Sequence, residues 1–111
     1  MENLTFYTGL QNKDIWEKTW KNKNLKQGKL TNVSLEYGEA AEFSWDEDIS
    51  VIKISNVPYE AIYAYRKNDY ENDDDIVILN NINEKQIALN NHFMFLLDLH
   101  NYKNIIKTEL V

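Results

Sequence analysis

Apolar and polar positions follow two periods along the chain. Leu4-Thr5-Phe6-Tyr7-Thr8 is short, β-branched and aromatic and stops at Gly9, which predicts a strand. Asn12 has the side chain to cap a helix, Asp14 falls in the first turn, and Ile15, Trp16, Thr19 and Trp20 share a face at helical spacing. That helix is expected over residues 13 to 26, fading at Gln27-Gly28. Trp16 and Trp20 read most simply as core residues of its apolar stripe, with stacking on a ligand as the lesser alternative. Leu30-Thr31-Asn32-Val33-Ser34 reads as an extended piece. Ser34 is placed to cap a helix through Gly38, Ala40, Ala41, Phe43 and Trp45, which the run Asp46-Glu47-Asp48 closes.

Residues 49 to 57 alternate as a half-buried strand does, and Pro58, lacking an N–H, stops the ladder. Residues 59 to 65 fit neither period and stay open between a helical turn and an extended arm. Ile76-Val77-Ile78-Leu79 has the aliphatic continuity of a central strand buried on both faces, with Asn80-Asn81 as its turn. Lys85 to Leu89 reads as a further strand. Asn91 reads as the cap of a last helix from His92 to about Tyr102, apolar at Phe93, Phe95, Leu96, Leu97 and Leu99. Strands and helices alternate without a regular βαβ beat. The expected fold is therefore α+β: a small mixed or antiparallel sheet containing the strands near 4 to 8, 50 to 57 and 75 to 80, with three helices near 13 to 26, 35 to 45 and 91 to 103.

Composition narrows this further. At 111 residues, 43% apolar, with three Trp, seven Tyr and four Phe, the chain is expected to bury one core as a single domain spanning 1 to 111. Three Gly, one Pro and 27% charged residues exclude a linker, a collagen or a low-complexity tract. The longest uncharged apolar run, residues 93 to 97, is far short of the roughly 20 residues a membrane helix needs. Met1-Glu2-Asn3-Leu4 lacks the basic and apolar regions of a secretory signal, so a cytoplasmic location without membrane contact is expected. The absence of cysteine removes disulfides, thiolate zinc sites and cysteine nucleophiles.

Charge changes the picture more. The net charge is −6, yet residues 1 to 35 hold six Lys against Glu2, Asp14 and Glu17, a balance of +3 that leaves −9 for the remainder. An acidic two thirds does not suit nucleic acid, whose affinity comes from cations displacing counterions, but does suit a partner with a basic surface. Asp69, Glu71, Asp73 and Asp75 alternate like calcium ligands, but the turn glycine and the distal bidentate Glu are missing, so the run reads as a solvated loop and no metal is expected. His92 and His100 lie eight apart with no acidic residue at zinc-motif spacing and read as structural or exposed. Nucleophile-elbow, P-loop and dinucleotide-fingerprint motifs are absent from the sequence.

Four stretches in order carry one further signal: Phe6-Tyr7-Thr8-Gly9-Leu10; Leu30-Thr31-Asn32-Val33-Ser34 followed by Ala40-Ala41-Glu42-Phe43; residues 51 to 58 ending in Val57-Pro58; and Asp73-Asp74-Asp75 running into Ile76-Val77-Ile78-Leu79. Together, over residues 4 to 80, they resemble the small ADP-ribosyltransferase domains of the toxin and phage type. Those carry a strand ending tyrosine-arginine-glycine, a Ser-Thr-Ser strand before a helix, a strand into valine-proline and a Glu-x-Glu before an aliphatic strand. The resemblance implies NAD as cofactor, held by Tyr7, Thr8, Gly9, Thr31 and Ser34, and transfer of ADP-ribose to a protein. Asp75 would steady the oxocarbenium-like centre and Asp73 would orient or deprotonate the acceptor. Thr8 replaces the family's arginine, which loses a fixed positive fork, and Asp75 replaces its final glutamate, which keeps the charge but shortens the reach.

A second expectation needs no chemistry. An acidic protein of this size, such as a phage-encoded inhibitor or an immunity protein, can block a basic site on a partner enzyme. Asp46, Glu47, Asp48, Asp73 and Asp74 are the residues placed to steer that association.

Overall fold

The computed structural model describes residues 3 to 44, 50 to 67, 75 to 91 and 94 to 111. Within them the fold is α+β, as expected, with three helices, but its seven strands form two antiparallel sheets and not the one sheet expected. The first sheet has the order β1-β3-β7, formed by β1 (Leu4–Gly9), β3 (Val51–Val57) and β7 (Lys107–Leu110). The second has the order β2-β6-β4-β5, formed by β2 (Leu30–Val33), β6 (Met94–Asp98), β4 (Ile62–Arg66) and β5 (Ile76–Ile78). A single bridge, Tyr7 to Ser34, joins β1 of the first to β2 of the second.

Alternation explains the first sheet. Phe6, Ile52 and Ile54 point inward and are fully buried, and Phe6 meets Phe95 of the second sheet with ring centroids 5.7 Å apart. A tilted aromatic pair at that distance adds to the area it buries. The inner faces of both sheets close one core with Val33, Val57, Leu97, Leu99 and Ile106. β3 carries one residue more than β1 between Leu4↔Val57 and Phe6↔Ile54, and within that bulge Asn56 adopts φ 62°. Asparagine tolerates this left-handed backbone, and here its amide also donates to the Ile105 carbonyl at 2.9 Å.

The first helix begins as foreseen. Asn12 accepts from the Ile15 N–H, and α1 (Lys13–Ile15) runs directly into a π-helical turn, Trp16–Lys21, that buries Trp20. It ends at Lys21, earlier than the expected 26. α2 (Tyr37–Glu42) starts after Glu36 and not at Ser34, whose hydroxyl instead accepts from the Glu36 N–H. α2 lies against β1 so closely that a Cβ at Gly9 would collide with the Ala40 carbonyl oxygen, and only glycine fits there.

The later half corrects several expectations. Residues 59 to 65 resolve into a 3-10 turn, Tyr59–Ala61, followed by β4. β5 is an edge strand in the second sheet, not a central strand beside β1 and β3, and Ile76 and Ile78 are about half exposed. The expected strand at 85 to 89 is helix α3 (Ile82–Leu89), and the expected final helix is strand β6, followed by a short 3-10 turn, His100–Tyr102. Phe95, Leu96 and Leu97 are all buried, and β6 is paired on both edges, with β2 and with β4. No helix among the described residues is long and apolar enough to cross a membrane.

Candidate functional site

The two sheets part beyond the Tyr7–Ser34 bridge. Tyr7 N–H donates to the Ser34 carbonyl at 2.7 Å and Ser34 N–H to the Tyr7 carbonyl at 2.8 Å, so the two edge strands are pinned at that point. Thr8 Oγ1 adds a bond to the Asn32 carbonyl at 2.8 Å. Around Thr8-Gly9 on one strand and Thr31-Asn32 on the other opens a cleft of about 670 Å³. Its apolar lining includes Leu10, Trp20, Leu25 and Leu99, and Trp20 and the three leucines are otherwise buried in the core.

Of the five expected cofactor residues, Tyr7, Thr8, Gly9 and Thr31 line this cleft and Ser34 does not. Ser34 is buried, and its hydroxyl donates to the Glu39 carboxylate at 2.7 Å while accepting from Glu36. Both hydrogen-bonding roles of the hydroxyl serve the turn into α2. The Thr8 hydroxyl proton is likewise committed to Asn32, which leaves its oxygen as an acceptor toward a ligand.

Asp75 is exposed and outside the lining; its carbonyl accepts from the Lys67 N–H at 2.9 Å as β5 begins. In the order β2-β6-β4-β5 three inter-strand steps separate its strand from β2, about 14 Å at the usual spacing. One row of residues connects the two regions, because Met94 pairs with Arg66 and Arg66 with Ile76, and both Met94 and Arg66 line the cleft. Asp73, Asp74, Asp46, Glu47 and Asp48 lie outside the described residues, as does His92.

Several lining residues were not foreseen. Lys18, Lys26, Lys29 and Arg66 contribute cationic side chains, and among the described residues no Asp or Glu lines the cleft. Phe43 stands at the lining with about half of its surface open to solvent. His100 Nδ1 donates to the Leu25 carbonyl at 2.6 Å, which fixes the ring and places the proton on Nδ1, so His100 is a structural residue that also faces the cleft. The signal for the cations was visible in sequence as six lysines within the first 35 residues. Among the described residues no group of three or more His, Asp or Glu side chains is arranged to hold a metal. Compared with protein-family models, curated proteins and solved structures, the chain matches none.

Proposed function

We propose that the protein binds NAD in the cleft between its two sheets, as an ADP-ribosyltransferase-like protein. The observation that carries this reading is the convergence of Tyr7, Thr8, Gly9 and Thr31, from two strands some twenty residues apart in sequence, on one cleft. Its volume, about 670 Å³, falls within the roughly 300–1,000 Å³ typical of small-molecule sites, with apolar walls and a few polar groups.

Binding is the half of the family's function that the geometry supports best. Transfer requires the bond between nicotinamide and the ribose carbon to break, a carboxylate to steady the cationic carbon, and an acceptor atom to attack it while losing a proton. Asp75 meets that carbon only if the dinucleotide lies extended along the Met94, Arg66, Ile76 row. Incubation with labelled NAD and a host lysate, using the wild type and Asp75→Ala, tests this. Label transfer abolished by the substitution supports the enzyme; NAD binding without transfer or nicotinamide release restricts the function to binding.

A second reading rests on a separate observation. Fifteen of the eighteen acidic residues follow residue 35, so a protein with a basic surface is the partner this charge favours.

A further inference from the structure

The cations of the cleft are placed against the charge of the molecule. The protein carries −6 overall, yet Lys18, Lys26, Lys29 and Arg66 line one cleft with no carboxylate among the described residues there. All four are exposed, and among the described residues no hydrogen bond or ion pair engages their side chains. Lys23, by contrast, comes from the same stretch of chain but donates its Nζ to the Ile106 carbonyl at 2.6 Å and lies outside the lining. Lys23 thus helps hold the fold together, whereas the four cations at the cleft carry no such load.

Concentrating like charges in a concave site costs repulsion that only an anion relieves, and low-dielectric walls strengthen the field toward it. The exposed Phe43 supplies a ring face at the same cleft, suited to stacking a planar heterocycle. A long nucleic acid would have to pass an acidic surface, whereas a small ligand would not.

We propose that Lys18, Lys26, Lys29 and Arg66 form a diphosphate subsite and Phe43 a base platform, so that the cleft takes a nucleoside diphosphate group. This rests on the reading of the cleft as a nucleotide site, and it supplies positive charge from the π-helical turn, the loop after it and β4 where Thr8 supplies none. Arg66 is the one planar fork of the four and grips phosphate oxygens in pairs; the lysines act as point charges.

The test is calorimetric titration of the full chain with ADP, inorganic pyrophosphate, adenosine and NAD, for the wild type, Lys26→Gln/Lys29→Gln, Lys26→Arg/Lys29→Arg, Arg66→Gln and Phe43→Ala. The four cations are exposed, and circular dichroism checks that each variant keeps its fold. ADP should bind more tightly than pyrophosphate or adenosine, and each lost cation should weaken ADP roughly two- to fivefold. The arginine pair should restore binding, and Phe43→Ala should weaken ADP and adenosine but not pyrophosphate. ADP binding no better than adenosine, or ADP affinity indifferent to the glutamine substitutions, would overturn the subsite. ADP bound through the lysines with NAD unbound keeps the subsite and ends the NAD reading; NAD bound with no response to the lysines does the reverse.

Discussion

At the scale of single residues, Gly9 and Ser34 of the resemblance motifs each have a packing role of their own. Gly9 is required because α2 crosses β1 at backbone contact, and Gly9→Ala should cost about 2–3 kcal/mol, measured by urea denaturation, since backbone and not a flexible side chain must yield. Ser34 holds the turn into α2 through Glu39 and Glu36. Ser34→Ala should therefore lower stability by about 1–2 kcal/mol and leave ligand affinity within twofold. A large loss of affinity at unchanged stability would show that the hydroxyl reaches the ligand after all. Glycine and serine at these positions were legible in the sequence, but their partners 31 and 5 residues further on were not, because what a side chain touches depends on how the elements pack.

At the scale of elements, β1, the start of α1 and β3 were readable while the elements from β5 onward were not, for a physical reason. β1 and β3 mix buried with half-buried positions and α1 opens on an Asn12 cap, and these leave a local signal. β6 is paired on both edges and its three central residues, Phe95, Leu96 and Leu97, are all buried, so its apolar run has no period to distinguish it from a buried helix. α3 was legible in its cap: Asn81 accepts from the Glu84 N–H at 2.9 Å, and the Glu84 carboxylate accepts from the Asn80 N–H at 2.8 Å. That Asn-x-x-Glu spacing outweighs the short apolar series that suggested a strand. Asn81→Ala should cost about 1 kcal/mol by thermal or urea unfolding, and Asn81→Asp should recover most of it. β5 was misplaced because aliphatic continuity speaks of a buried strand, whereas Ile76 and Ile78 lie on an open edge. The cleft itself arises where β1 and β2, the edges of different sheets, meet at one bridge, a junction no local pattern encodes.

At the scale of the whole molecule, charge is sorted. Six lysines lie in the first 35 residues, and three of them line the cleft, while the rest of the chain carries −9. The proposed small anion and the proposed basic partner therefore answer opposite parts of this charge. For the second, binding to polylysine should weaken steeply between 0.1 and 1 M salt, as the Debye length falls from roughly 10 to 3 Å. Neutralising Asp46, Glu47 and Asp48, or Asp73 and Asp74, to Asn and Gln should slow association while leaving unfolding unchanged. Indifference to both salt and substitution would remove the acidic surface from the account.

In the proposed function the cleft between the sheets receives NAD. Titration of the isotope-labelled protein with NAD, followed through its backbone amide resonances, tests it most directly. NAD held in the cleft should give saturable shifts at Thr8, Gly9 and Thr31, with Lys29 and Phe43 responding at the same NAD concentration. Absence of shifts at those residues, or shifts confined to the groove that Val77, Ile78 and Ile87 form between β5 and α3, would contradict it.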